Sequence, residues 1–443
     1  MKDFFYQFLY RLRTANPVRL VVLGYMSYIF IGFILLCLPF MHKNYVPVLD
    51  NLFIATSAVS TTGLTTVTVS NDYNFLGQLV ILTLIQLGGI GYMTFGSFVI
   101  LSAKKYLDDR KKNIAETVFS IPENFKIEKF IISVISFSFI VELMGAIGLF
   151  FVFLNAGTEN PLWKAIFHSV SAFCTAGFSL FPNSFEGLAN NFGLNAIISI
   201  LSIIGSMGFI VCVDIWRLIR GKINHVTLTS MVIIVMTFWL FVIGGFLLFL
   251  SESYGGGVAP ENRILFSLFQ AMTALTTVGF NTITISTMSK SAIMLLCILM
   301  IIGASPSGTG GGLKTTTFSA IWGLMISAIN GNKDVKIFGA VVPEDRIRTA
   351  VATLSLYISS LVIGTYLLTL TENGTFIEIF FESASALGTV GLSLGITTAL
   401  TTLGKLVIIL MMYIGRVGPL TFGVALYVKS EIIFDNEKTD LAV

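Results

Sequence analysis

Apolar residues run in eight stretches near the roughly 20 residues that cross a bilayer as a helix: 20–40, 75–102, 130–154, 193–216, 228–250, 291–328, 349–370 and 403–428. Each predicts a membrane-spanning helix. The first follows Arg11, Arg13 and Arg19 and is longer than the roughly 7–15 apolar residues of a secretory signal, which predicts a retained helix. After the first, third, fifth and seventh stretches comes a shorter apolar segment of about ten residues, too short to cross. These predict re-entrant helices, whose returning backbone is tolerated at membrane depth only where it is buried in protein or lines a cavity.

The four short segments are copies of one another. Aligned on Gly63, Gly177, Gly279 and Gly391, they place Thr two residues before (Thr61, Thr175, Thr277, Thr389) and Ala five before (Ala58, Ala172, Ala274, Ala386). Ser or Thr stands six before (Ser57, Ser171, Thr273, Ser385), and Phe ten before (Phe53, Phe167, Phe269, Phe381). The glycines are 114, 102 and 112 residues apart, so the whole chain repeats. The fold class is an all-α membrane protein of four tandem membrane-pore loop-membrane repeats: eight transmembrane helices and four re-entrant loops around a central pore. The repeats are placed at residues 1–110, 111–222, 223–335 and 336–443.

Composition agrees, with 55% hydrophobic and 12% charged residues against the roughly 25% charged of a soluble domain. The net charge of +3 implies no nucleic-acid partner; the scarcity of charged residues implies the lipid bilayer as partner. Of the 27 Lys and Arg, 20 lie in the tails and in the connections after the second, fourth and sixth stretches, which predicts cytoplasmic termini. The opposite side carries nine acids (Asp50, Asp72, Glu159, Glu186, Glu252, Glu261, Glu372, Glu378, Glu382) against five bases, which together predict a negative mouth. The four cysteines stand singly in apolar stretches and predict no metal or disulfide frame.

Helix-start signals precede the short helices: Asp50, Asn160 before Pro161, Pro260 before Glu261, and Asn373 with Thr375. Each such helix ends near the Thr-x-Gly, so its negative C-terminal end faces the membrane centre and favours a cation there. The following backbone, at Thr61, Thr62, Gly63; Thr175, Ala176, Gly177; Thr277, Val278, Gly279; and Thr389, Val390, Gly391, is then expected to turn carbonyl oxygens toward the ion. The last two triplets come closest to the TVGYG filter of potassium channels.

With these loops, the run from Gly303 through Ala304, Ser305, Pro306, Ser307, Gly308, Thr309, Gly310, Gly311, Gly312 and Leu313 to Lys314, and the closing Gly415-Arg416-Val417-Gly418-Pro419, the chain resembles the potassium-transporter superfamily of bacterial Trk, Ktr and plant HKT proteins. Its length is similar to the KtrB type, the translocating subunit of the Ktr system. The resemblance implies potassium uptake across a bacterial cell membrane, often sodium-dependent. It implies a homodimer on a cytoplasmic KtrA-type ring that carries the nucleotide. A Ser at the first filter glycine goes with sodium preference there, and the four glycines here favour potassium.

Residues 303–312 cannot hold a helix, since each Gly costs about 1 kcal/mol and Pro306 about 3. The resemblance makes this run a gate beneath the filter, with Gly303, Ser305, Ser307, Gly308, Thr309, Gly310, Gly311, Gly312 and Lys314 as gate residues. Glycine pairs Gly88/Gly91, Gly205/Gly208 and Gly415/Gly418 are expected below the filter in the other repeats. Arg416, placed mid-span at a cost of at least roughly 2.5 kcal/mol, is either an electrostatic barrier facing the pore or a structural residue capping loop carbonyls or pairing with Glu142. Two other functions stay open: a non-selective or sodium-conducting pathway of the same fold, and, more remotely, a membrane enzyme acting on a lipid-linked substrate. The three histidines lie far apart and unaccompanied, which disfavours the enzyme.

Overall fold

The computed structural model describes residues 17–103, 127–251 and 263–427. The tail bases Lys2, Arg11, Arg13, Lys429 and Lys438, the basic run from Lys104 to Lys126, the Pro260-Glu261 start signal and the repeat boundary at 110/111 lie outside these residues.

Repeat one comprises α1 (Pro17–Leu36), pore helix α2 (Val48–Val59) and α3 (Phe75–Ala103). Repeat two has α4 (Ile127–Asn155), pore helix α5 (Pro161–Phe173), α6 (Phe192–Met207) and α7 (Phe209–Ile219). Repeat three has α8 (Leu228–Ser251), pore helix α9 (Arg263–Leu275), α10 (Lys290–Ile301) and α11 (Thr315–Ile329). Repeat four has α12 (Glu344–Thr371), pore helix α13 (Phe376–Gly388), α14 (Thr402–Val417) and α15 (Pro419–Tyr427). A short antiparallel hairpin, Lys336–Ile337 with Ala340–Val341, joins the last two repeats.

The first helix of every repeat is continuous and long and apolar enough to cross a membrane. Phe30, Phe139, Met144, Phe246 and Tyr366 on these helices are exposed, as expected of surface facing lipid. Three of the four second helices depart from expectation, while α3 is continuous. The stretches 193–216 and 403–428 are each two helices bent by 97°, and 291–328 is α10 and α11 joined by an irregular segment. The bends fall at Gly208 (φ +84°) and Gly418 (φ +91°), a conformation that ends an L-residue helix and that glycine adopts at little cost.

Each first helix packs on its own pore helix, and each second helix reaches the pore helix of the next repeat: α3 on α5, α6 on α9, α10 on α13, and α14 back onto α2. The last contact closes the ring. An ion pair from Lys405 to Asp50 (2.5 Å), a bond from the Tyr413 hydroxyl to the Val22 carbonyl (2.6 Å) and one from Arg19 Nε to the Ala425 carbonyl (3.0 Å) seal that seam. Of the helix-start signals, Pro161 occupies the first turn of α5, and Thr375 with Glu378 forms a capping box on α13, satisfying amides that a helix N-terminus leaves free.

Candidate functional site

Every pore helix ends in the same hydrogen-bonded turn. The amide of Thr61, Thr175, Thr277 or Thr389 donates to the alanine carbonyl three residues back (3.1–3.3 Å), and the next amide to the Ser or Thr carbonyl five back (2.8–3.1 Å). This is the Schellman pattern, which turns on a left-handed residue. The threonines accordingly have φ of 50–58°, where an L-residue costs about 1–2 kcal/mol and glycine is the usual choice. The repeated Ala and Ser/Thr positions are thus the acceptors of one local motif, and the sequence had pointed only to the glycines as residues of unusual conformation. A Thr recurring three residues after an Ala at the end of a short apolar helix is the signal that marks it.

The four glycines, with φ of 65–94°, meet in a closed ring. A methyl group built on Gly63 would strike the Ala176 carbonyl oxygen, on Gly177 that of Val278, on Gly279 that of Val390, and on Gly391 that of Thr62. Each wall therefore abuts the carbonyl of the next, in chain order, until the fourth meets the first. None of these four carbonyl oxygens accepts a main-chain hydrogen bond from the described residues. Unpaired carbonyl dipoles inside a membrane protein are costly, and a bare cation is a ligand that satisfies them.

Above the ring lies a cavity of about 400 Å³ lined by all four glycines and by the loops that follow them. Glu186 is the acid that lines it, held by Asn281 (2.9 Å) and Thr284 (3.1 Å). Of the other acids expected at the mouth, Asp50 pairs with Lys405, Asp72 accepts from the Thr68 amide (2.9 Å), Glu372 holds the start of α14 through Thr401 and Glu378 binds Thr375, while Glu159 is exposed and Glu252 and Glu261 lie outside the described residues. Glu382 is wholly buried behind the fourth wall.

Compared with known families, residues 7–435 match the model of TrkH, a cation transport protein. The chain belongs to this family of cation transporters, which are not enzymes. It is 36% identical over 430 residues to the potassium/sodium uptake protein NtpJ of Enterococcus hirae, covering 94% of each chain. It is 33% identical over 412 residues to the Ktr system potassium uptake protein B of Bacillus subtilis, covering 92% of each. Its fold is that of the potassium transporter TrkH from Vibrio parahaemolyticus, with a TM-score of 0.75 at 21% identity over 92% of this chain and 84% of that one.

Beneath the ring, the irregular segment between α10 and α11 reaches all four threonines. Thr309 Oγ1 lies 3.1 Å from Thr175 Oγ1 and its carbonyl accepts from Thr61 (3.4 Å). The Gly311 amide donates to Thr277 Oγ1 (3.1 Å), and a methyl group on Gly311 would strike Thr389 Oγ1. The glycines of this segment permit contact as much as freedom. Side chains on Gly303, Gly308 or Gly310 would collide with the Gly311 carbonyl, the Ser206 carbonyl and the Thr277 hydroxyl respectively.

Two bases grip consecutive carbonyls of the segment. Lys314 Nζ donates to Gly310 (2.6 Å). Arg416, 7% exposed, donates to the carbonyls of Thr309 and Gly88, to the Gly89 carbonyl (3.1 Å) and to Thr61 Oγ1 (2.9 Å). Its pairing with Glu142 does not occur: Glu142 on α4 is held by Gln86 Nε2 of α3 (2.9 and 3.0 Å). Arg416 instead caps the Thr309 carbonyl of the segment and the Gly88 and Gly89 carbonyls of α3.

The first members of the glycine pairs pack against the inner ends of the pore helices, and Gly205 and Gly208 also against the segment beneath the ring. Gly88, Gly205 and Gly415 lie against the last turn of a pore helix: a methyl group on each would strike the carbonyl of Val59, Phe173 or Leu387, the residue two before the turning threonine. They let each second helix pass close behind its own pore loop. Of the second members, Gly208 and Gly418 are the bends, whereas Gly91 sits inside the unbroken α3.

Proposed function

We propose that this chain takes up potassium through its fourfold pore, across a bacterial plasma membrane and with both termini cytoplasmic. In this reading residues 61–63, 175–177, 277–279 and 389–391 form the filter, and residues 303–312 with Lys314 and Arg416 form the gate. The closed ring of four glycines, each abutting an unpaired carbonyl of the next wall, carries this reading. The segment beneath it, touching all four threonines and held by two positive charges, opposes the passage of a cation and so suits a closed gate. The potassium names of the NtpJ and Ktr relatives support the ion. The word system in the Ktr names supports partner subunits, which in this reading are a second copy of the chain and a cytoplasmic KtrA-type ring that alone holds nucleotide, with sodium as a coupled or activating ion.

Rubidium uptake into potassium-requiring cells expressing the chain, with and without sodium, tests this. Saturable uptake that sodium does not competitively inhibit is expected, and Gly279→Ser should admit sodium. A sodium-conducting pathway, which the potassium/sodium name of the Enterococcus relative favours, predicts instead that sodium competes as well as potassium in the unaltered chain.

A further inference from the structure

Nine residues before each ring glycine, the pore helices carry Ile54, His168, Gln270 and Glu382. All four are fully buried. The three polar ones hydrogen-bond to the stretch of chain that rises from the ring to the mouth. His168 Nδ1 donates to the Lys164 carbonyl (2.7 Å), so that Nε2 accepts from the Ser179 hydroxyl (3.0 Å) and the Leu180 amide (3.2 Å). Gln270 Nε2 donates to Thr282 Oγ1 (3.2 Å). Glu382 accepts from Ser393 (2.8 Å) and from Thr397. In the first wall Ile54 can make no such bond, and the hydroxyl of Thr66, the counterpart of Thr282, is buried without a partner.

The ring is therefore fourfold in backbone but not in what holds it. The serine hydroxyls of Ser57 and Ser385 hold the ring glycines of walls one and four alike (3.0 Å), but at the position nine residues before the glycine wall two hangs on a neutral imidazole, wall three on an amide, wall four on a carboxyl group with two hydroxyl donors, and wall one on none. A carboxylate makes the strongest of these bonds, and within a protein its field on a nearby cation is weakly screened. Ser393, bound to Glu382, itself lines the cavity above the ring.

We propose that Glu382 is a positioning residue that determines cation affinity and preference at the outer end of the filter. It fixes the rising limb of the fourth wall and places an acid behind it. This rests on the transport reading above. The test compares Glu382→Gln and Thr397→Val with the unaltered chain, by rubidium uptake in cells and by potassium- and sodium-dependent thermal stabilisation of the purified protein.

Glu382→Gln should raise the half-saturating concentration at least tenfold with the maximal rate within twofold, and narrow the preference for potassium over sodium. Thr397→Val, which keeps the acid and removes one bond, should shift half-saturation a few-fold in the same direction. Unchanged half-saturation and preference in either variant, when the unaltered chain transports, would overturn the role of Glu382 alone. If Glu382→Gln does not assemble, Thr397→Val decides. An unaltered chain that neither takes up rubidium nor is stabilised by potassium would overturn the transport reading, and this role with it.

Discussion

The Gly205 carbonyl accepts a hydrogen bond from the Thr309 amide at 3.0 Å, and Gly205 is the residue whose carbonyl would bind the Phe209 amide if α6 and α7 were one helix. The same exchange occurs one residue on. The Ser206 carbonyl takes the Ser305 amide (3.0 Å), while the amides of Phe209 and Ile210 go to the Ser307 carbonyl (3.2 Å) and hydroxyl (3.3 Å). The segment beneath the ring thus replaces two of the helix bonds that the bend at Gly208 breaks, those from Phe209 to Gly205 and from Ile210 to Ser206. The bend at Gly418 has no such option, because Pro419 follows it and lacks an amide proton.

Leaving the ring should therefore let α6 and α7 join. Ser307→Ala removes one of the four bonds, worth about 1 kcal/mol or roughly fivefold in the docking equilibrium, and should raise basal rubidium flux about that much at equal expression. Nitroxide labels at positions 197 and 216 should gain a longer distance, toward the about 29 Å of a straight helix. Deleting residues 308–310 should raise flux further, and unchanged kinetics would count against this segment as the gate.

Arg416 contributes both a charge and a brace. Arg416→Ala should raise the maximal rate of rubidium uptake several-fold with little change in half-saturation, and lower thermal stability because three carbonyls lose a charged donor worth about 1.5–3 kcal/mol each. Arg416→Lys keeps the charge but cannot span the same oxygens. A low rate retained in the lysine variant, beside a lowered melting temperature, separates the barrier from the brace.

Gly205→Ala should prevent assembly or cost about 1–3 kcal/mol by overpacking, since the new methyl group would meet the Phe173 carbonyl rather than a movable side chain. Gly91→Ala is the control. Among the described residues the nearest atom to a methyl group there is Tyr28 Cε2 at 3.9 Å, and alanine favours the helix by up to about 1 kcal/mol. Fluorescence-detected gel filtration after heating should show a loss in the first variant and none in the second.

Lys405 and Asp50 join the last repeat to the first with side chains 16% and 7% exposed. Lys405→Ala should cost about 3–5 kcal/mol, mostly by stranding the carboxylate of Asp50. Adding Asp50→Asn should restore much of the melting temperature, whereas Asp50→Asn placed on the unaltered chain should lower it.

Much of this architecture is written in neighbouring residues. The apolar stretches show where α1, α4, α8 and α12 cross, and the Thr-x-Gly repeat marks the four turns, because a Schellman turn is closed by residues no more than five apart. The Gly418-Pro419 pair carried a legible break that apolar length concealed, since a bent helix and a straight one bury the same residues in lipid. Gly208 carried no comparable mark, as its bend depends on a segment about 100 residues later in the chain. Glu382 was misplaced among the acids of the mouth because a carboxyl near a loop reads as solvated until the hydroxyls of Ser393 and Thr397 are seen to enclose it.

Local hydrogen bonding and the preference of apolar side chains for lipid settle the class of fold, the number of repeats and the conformation of each turn, since all three depend on short spans of chain. Only the folded ring decides the order of its walls, the bend at Gly208, the partners of Arg416 and the unequal support behind the four loops. The reason is that a polar group inside a membrane has no water to bind. Its conformation is set by whichever donor or acceptor reaches it, and for the Gly205 carbonyl and for Arg416 those partners come from other repeats.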